Sequence, residues 1–477
     1  MKIEEKGVDE KLEGILAELP FTLTEEQLGF VTGFINGTGN WTLLGDAGSG
    51  KSCVMYILKL YYEDIILFGA STGTASEELP HNIGSGTGHS LFNLARDQAI
   101  EGDWKKRPAN ILTKSDMIRI IVLDEGYCYN SQDLSIIMHQ IKKINKKGKN
   151  RKARNVRLLL VGDPLQRLPI VSDKGFMKHL HETYGHYLMF KSKVWEEANF
   201  TPYVFQTVKR QSGNEPKDIW FKKALYVLRY GIEKHYDKVI NGFNRKLVGM
   251  DHKKDAIYIA PTNNMVNTYN DSYLARNPNV KITFNVVFTG KYKKQNFPMD
   301  REVTIGEGCK FLTLVNSPEE GYMNGTLLTC TQATTEGIWA VKEDGSSVFV
   351  GVHEFKEEEV YAEECELYGK VVKVQKRKHI ASAYMLPIKL AAGYSFARCQ
   401  GKSFDYETVL DFGAASQSWM YTKSGMEDFM VAGAFVGFSR ATNIDHVKLR
   451  NPLMKCHLKT DRDSIDFWWK CVTETKA

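Results

Sequence analysis

Short, nearly continuous apolar runs alternate with stretches of helical periodicity through the first part of the chain. The run Asn40 to Leu44 meets a glycine-rich segment, and an apolar-periodic helix is expected from Cys53 to Tyr61. Further runs begin at Ile65 (IILFGAS), Ile118 (IRIIVLDE) and Val156 (VRLLLVGD). Each ends in a polar turn, the pattern of parallel strands buried on both faces of a sheet. The theme returns in AIYIAPTNN from Ala256 and ETVLDFG from Glu407. Between about Asn277 and Ala383 the texture changes to alternating runs broken by Gly, Asn and Asp, which predict short antiparallel strands of a small barrel-like insert. The fold class is therefore α/β, with two parallel-sheet cores that each carry an insertion. The expected division is a charged lead-in over 1–20, a first core over 21–205, a second core over 206–455 and a tail over 456–477. The inserts fall at about 84–114 and 277–383.

Composition narrows the class without naming it. With 477 residues, 43% hydrophobic and 25% charged, the chain has ample core-forming material for several structural units. A net charge of +6 permits a nucleic-acid partner but does not require one. The densest basic cluster runs from Lys142 to Arg157 (KKINKKGKNRKARNVR), either a solvated helix end or a phosphate-contacting surface. The acidic run from Lys356 reads as a solvated face. The eight cysteines form no C-x-x-C pair, which argues against a zinc site or a disulfide framework. Neither a signal-peptide pattern nor an apolar run of membrane-spanning length is visible, so a soluble, cytoplasmic protein with no membrane partner is expected.

The chemistry begins at Gly45-Asp46-Ala47-Gly48-Ser49-Gly50-Lys51-Ser52, a full G-x-x-x-x-G-K-[ST] match placed between a strand and a helix. Its glycines let backbone N–H groups close around phosphate oxygens, and the following helix N-terminus adds partial positive charge. Lys51 is expected to reach the β- and γ-phosphates of ATP, and Ser52 to offer a hydroxyl to Mg²⁺. Asp124 and Glu125 end an apolar strand, where Asp124 can hold the Mg²⁺ shell and Glu125 can activate water. Together these elements predict an NTPase. Gln27 lies upstream, and its amide can donate and accept at once, which suits an adenine edge. Gln166, in GDPLQ, is placed to sense the γ-phosphate or its water. Arg210 and Arg440 lie far from the P-loop in sequence and could reach ATP only if the second core faced the first. Each alone would more often be a surface residue.

Taken together these segments resemble the superfamily 1 DNA helicases, in the 5′-to-3′ branch that includes RecD-like and phage Dda-like helicases. The resemblance runs from about Phe21 to Leu449 and is firm in the motif blocks. These are LTEEQ, GDAGSGKS, LDEGYCY, VGDPLQRLP, TVKRQ, AAGYSFARCQGKSFD and FVGFSRAT, with APTNN and GYMNGT as further family-like stretches. Three places depart from the pattern: Gly126-Tyr127, Arg167-Leu168 and Ala397-Arg398. The resemblance implies two RecA-like cores, the second insert an SH3-like barrel, with ATP and Mg²⁺ as cofactors. It implies arginine fingers at Arg210 and Arg440, and fifth-motif nucleotide contacts at Gln400 and Gly401. Partners would be single-stranded DNA and a DNA fork, together with replication or recombination proteins, for a protein acting as a monomer. A phage source would put it in the host-cell cytoplasm.

For the DNA track the resemblance points to Thr72, Thr74, Thr87 and His89 in the first core. In the second it points to Thr262, Asn263, Arg398 and Ser403. Hydroxyls and neutral imidazoles bond phosphates without fixing sequence, as a sliding motor requires. Each is otherwise an ordinary loop or cap residue. Trp104 falls where relatives carry a strand-separating pin, and is either its wedge or local packing. Trp468 and Trp469 read as core or docking surface. A translocase with little unwinding, or an ATP-switched nucleic-acid-binding protein, is the alternative reading. A nucleotide kinase leaves the second-half motifs unexplained.

Overall fold

A computed structural model describes residues 9–71, 86–94, 117–146, 154–171, 173–208, 211, 213–249, 256–292, 297, 299–317, 319–322, 325–342, 344–367, 370–400, 402–414 and 431–476. The chain divides into two compact units, one formed by residues 1–263 and 394–477 and the other by 264–393.

The first unit is built on a six-stranded parallel sheet of β1 (Trp41–Gly45), β2 (Ile66–Ala70), β3 (Gly86–Thr87), β4 (Ile120–Asp124), β5 (Arg157–Gly162) and β6 (Thr201–Phe205), in the order β3-β2-β4-β5-β1-β6. Successive residues of each strand point to opposite faces. Leu43, Phe68, Val122 and Leu159 meet Phe30, Phe34, Val54 and Leu58 on one face. Leu44, Leu67, Leu123 and Leu160 meet Ile137, Ile141 and Trp468 on the other. Both faces are covered, which is why the strands read as unbroken apolar runs. β4, β5 and β1 are neighbours, so their carboxyl ends bring Asp124, Gly162-Asp163 and the Gly45 loop to one rim. Crevices at such rims are where open α/β sheets bind ligands.

The same unit holds a second sheet of Gly393–Ser395, Ile257–Ala260, Thr408–Leu410 and Val447–Leu449, in that order. Thr408–Leu410 pairs in parallel with Ile257–Ala260 and with Val447–Leu449. The segment expected as a tail instead forms a helix over Arg462–Lys476. Its Ile465, Trp468, Cys471 and Val472 sit in the core of the first sheet. Their helical spacing was visible in the sequence but short, and could not say which face they would cover. Trp468 is buried and Trp469 is half-exposed. Arg157, the last of the basic cluster, is structural. Its guanidinium donates to Gly37 O at 2.7 Å, Phe34 O at 2.9 Å and the Tyr62 hydroxyl at 3.0 Å. Lys147 to Ala153 lie outside the described residues.

The second unit opens with the helix Asn263–Arg276 and is otherwise antiparallel β-structure. A five-stranded sheet runs in the order Ser347–Gly351, Gly337–Val341, Leu327–Ala333, Lys310–Thr313, Ile388–Leu390. A long hairpin, His353–Leu367 with Lys370–Met385, pairs with Val287–Gly290. The β-rich insert thus sits where the alternating pattern placed it. Its core gathers Ile305, Phe311, Leu328, Ile338 and Val350.

Candidate ATP site between two cores

The P-loop is held from outside as well as by its own glycines. Thr24 and Gln27 form a capping box at the start of the helix Glu25–Asn36. Gln27 Oε1 accepts from Thr24 N at 2.9 Å, and Gln27 Nε2 donates to Ser49 O at 3.1 Å. Gln27 is therefore a buried tether of the loop, with one amide hydrogen and one lone pair left over for a base. Gly50 has φ of +87°, and a Cβ there would lie 2.0 Å from Gln27 Nε2. Glycine is required at that position for conformation and for space alike. Gly45 ends β1, Ala47 N donates to Asp46 Oδ1 at 2.6 Å, and Gly48 also has positive φ. The Lys51 ammonium donates to Gly45 O at 2.8 Å and Asp46 O at 3.0 Å, so it lies over the loop it belongs to.

Ser52 is exposed in the first turn of the helix Lys51–Tyr62. Asp124 ends β4 and accepts from Glu125 N at 2.9 Å. No cluster of three or more His, Cys, Asp or Glu side chains is arranged for a metal among the described residues. One hydroxyl and one carboxylate fit an ion such as Mg²⁺, which keeps several waters and shares phosphate oxygens.

Glu125 adopts a left-handed backbone with φ of 49°. Burial, then the neighbouring Asp124 charge, push its carboxyl up to about 7, against the opposing pull of Lys51 and Arg440. Its Oε2 accepts from Gln400 Nε2 at 2.7 Å, a contact across 275 residues of sequence. Gln400 follows the short helix Phe396–Cys399 beside the second sheet, so a second-core group touches the carboxylate in the first.

Tyr127 explains the departure at Gly126-Tyr127. It is a core residue whose ring lies against Phe190, Trp195 and Phe467, and its hydroxyl bonds Thr42 Oγ1 at 2.6 Å. The larger residue fills the space between the first sheet and the C-terminal helix.

The sensor segment is bound from an unexpected direction. Gln166 Nε2 donates to Asp163 Oδ2 at 2.7 Å, and that oxygen also accepts from Arg229 Nη1. Arg229 Nη2 donates to Asp163 Oδ1 at 3.0 Å, and Nη1 lies 3.4 Å from Asp46 Oδ1 in the P-loop. Burial alone would lower the Arg229 pKa, but the Asp163 and Asp46 charges raise it overall, so the guanidinium stays charged. Sequence reading passed over Arg229. Its one signal is a charge on the otherwise apolar buried face of the helix Pro216–Arg229, beside Leu225 and Leu228.

Arg440, expected to face the phosphates, is fully buried inside the second core. It donates to Val436 O at 2.9 Å, Lys402 O at 3.3 Å, Cys399 O at 3.4 Å and Ser439 Oγ at 2.8 Å. These bonds tie the fifth and sixth motif segments together. Arg210 and Gly401 lie outside the described residues, as do Thr72, Thr74 and Trp104.

Of the DNA-track candidates, Thr87 caps the helix Gly88–Phe92 by accepting from Ser90 N at 3.2 Å. His89 lies beside the Tyr129 ring at 5.7 Å. Thr262 and Asn263 line a cavity of about 340 Å³ with Gln166, Ser395 and Gln400, bounded by residues of both cores. Arg398 is half-buried and Ser403 exposed, and neither lines that cavity.

Two sheet-based cores flank one P-loop, an arrangement that suits a nucleotide bound at their common edge. Residues 23–228 match the sequence profile of the PIF1-like helicases. The chain is 24% identical over 328 residues to the ATP-dependent DNA helicase Pif1 of Bdellovibrio bacteriovorus, covering 66% of this chain and 69% of that protein. It is 24% identical over 343 residues to the ATP-dependent DNA helicase RRM3 of Saccharomyces cerevisiae, of which it spans only 44%. In fold it is similar to Pif1 helicase from Bacteroides in complex with ADP-AlF3 and single-stranded DNA, with TM-score 0.74, 20% identity and 95% and 98% of the two chains covered. Pif1 helicase from Candida albicans gives TM-score 0.69 at 19% identity, over 94% and 99%. Over residues 23–228 the sequence is similar to the PIF1-like helicases, and the fold is similar to that of solved Pif1 helicases. Among the described residues, no helix is long and apolar enough to cross a membrane.

Proposed function

We propose that this chain is an ATP-dependent DNA helicase that moves 5′-to-3′ along single-stranded DNA, as a monomer in the cytoplasm, and parts the duplex ahead of it. The observation that carries the reading is the Gln400–Glu125 bond, because it puts a second-core side chain on the carboxylate placed to activate water. A nucleotide kinase has no use for such a contact. The named relatives are ATP-dependent DNA helicases, and the Bacteroides structure pairs a nucleotide mimic with single-stranded DNA.

In the proposed cycle the amides from Ala47 to Ser52 and the Lys51 ammonium hold the triphosphate. Mg²⁺, held by Ser52 and through Asp124, would neutralise charge on the phosphate oxygens. Gln166 accepts from the attacking water through Oε1, and Glu125 takes the water proton. A bond forms from the water oxygen to the γ-phosphorus as the bond to the ADP oxygen breaks, leaving ADP and inorganic phosphate. Arg210 and Arg440 approach the γ-phosphate as the cores close, Arg440 exchanging carbonyl partners for phosphate oxygens. ATP drives closure only by binding the closed state more tightly. Gln27 and Gly401 border the nucleotide. Thr72, Thr87 and His89 grip the strand from one core and Thr262, Asn263, Arg398 and Ser403 from the other, with Trp104 as the wedge. Alternating grip then turns closure into steps, at a replication or recombination fork.

ATPase rates with and without single-stranded DNA or RNA, together with unwinding of duplexes tailed on one side, test the reading. DNA-stimulated turnover and opening from 5′ tails are expected. Opening from 3′ tails alone would overturn the polarity, and stimulation without opening would leave a translocase. Turnover indifferent to nucleic acid would end the motor reading.

A further inference from the structure

Arg229 ends the helix Pro216–Arg229, and that helix packs against the second-core helix Gly433–Phe438. Its guanidinium nevertheless belongs to the ATP site of the first core. Both Asp163 oxygens accept from it, and the oxygen shared with Arg229 is the one that receives Gln166 Nε2. Asp163 also caps its own turn, since Leu165 N donates to Oδ1 at 3.0 Å. Arg229 and Asp163 are 3% and 2% exposed, so water cannot replace either partner. Trp468 faces the guanidinium at 4.4 Å and Phe435 at 5.3 Å, which fixes the cation from the C-terminal helix and from the sixth motif. A planar fork on a carboxylate defines direction as well as distance, which an ammonium cannot do. The route from second-core packing to the Gln166 amide is therefore Phe435 to Arg229 to Asp163 to Gln166, every link a direct contact.

We propose that Arg229 is a positioning residue for hydrolysis: by orienting Asp163 it sets the Gln166 side chain, and so couples the second core to the placement of the attacking water. This rests on the proposed motor reading. Arg229 touches neither the water nor the triphosphate in this scheme and acts only through Asp163. Its 3.4 Å approach to Asp46 Oδ1 places the same cation beside the residue whose carbonyl holds Lys51, so the sensor and the P-loop share one anchor.

The test uses the full chain, and measures ATP turnover with saturating single-stranded DNA, KM for ATP and the melting temperature. Arg229→Lys keeps the charge and loses the fork. It should lower kcat roughly tenfold, since small misplacements of reacting groups are costly, while KM and melting stay near wild type. In a Gln166→Ala background the same change should cost far less in kcat, because the amide it sets through Asp163 is gone. Arg229→Gln should be more severe in kcat; if it fails to fold, the lysine variant decides alone. Wild-type kcat in Arg229→Lys, or an equal fold-loss with and without Gln166, would overturn the inference. Absence of DNA-stimulated turnover in the wild type would instead sink the motor reading itself, so the two failures are distinguishable.

Discussion

The Gln400 amide donates to Glu125 Oε2 at 2.7 Å, so the proposed proton acceptor is steadied by the opposite core. A hydrogen-bond donor favours the charged form of a carboxylate. Burial and Asp124 work the other way and hold the Glu125 pKa at about 7. A general base must be ionised, so kcat/KM for ATP should be low at acid pH and rise through about pH 7. Gln400→Ala removes a donor from the charged form and should move that rise to higher pH. The measurement is the pH profile of kcat/KM in both proteins, and superimposable profiles would contradict the assigned contact.

Lys51→Ala and Glu125→Gln separate binding from chemistry. Lys51 supplies the loop's only side-chain cation, and its loss should abolish detectable ATP hydrolysis. Glu125→Gln keeps the shape and the neighbours of the carboxylate but cannot take a proton, so turnover should fall by about 10²–10⁴-fold. ATP affinity, read with a fluorescent nucleotide, should change little. Near-wild-type turnover in either variant would remove that residue's assignment.

The clash between Gly50 and Gln27 predicts a rescue. Gly50→Ala puts a methyl 2.0 Å from Gln27 Nε2 and forces an L residue to φ of +87°. The backbone strain alone costs about 1–2 kcal/mol, and the displaced Gln27 loses its bond to Ser49 O. KM for ATP should rise at least several-fold. Gln27→Ala in the same protein removes the clash but not the strain, so the double variant should bind ATP better than Gly50→Ala alone. A double variant no better than the single would show that the tether does not set the loop.

What could be read beforehand follows the range of each interaction. The strand–loop–helix setting of the P-loop and the strand that ends at Asp124 are legible because their parts are adjacent in sequence. The β-rich insert showed through its alternation. Arg229 was not legible, since its partners lie 66 residues away at Asp163 and further still at Asp46. The carbonyl cage around Arg440 is not legible either, because no sequence pattern reports which carbonyls a guanidinium will meet. The C-terminal helix reads as a tail in sequence because its few apolar positions find meaning only against Tyr127 and Phe190.

Asp133 offers a test of stability independent of activity. It is buried at the third position of the helix Ser131–Asn145, where its Oδ2 accepts from Asn130 N at 3.1 Å. Burial outweighs that bond and raises its pKa from 3.8 to about 7. The folded protein therefore holds this proton more tightly than the unfolded chain. The resulting stabilisation is complete below about pH 3.8, shrinks as pH rises toward 7, and is lost above it. Asp133→Asn keeps an oxygen acceptor for Asn130 N and cannot ionise. Other groups titrate over the same range, Glu125 among them, but they are common to both proteins and cancel in the difference. The variant should match the wild type in melting temperature near pH 4 and exceed it at pH 8. The gap there should be on the order of 4 kcal/mol, the free energy of a shift of this size. Melting curves that stay parallel from pH 5 to pH 8 would mean that Asp133 is ionised in the native protein, and that the cap holds a charged carboxylate despite its burial.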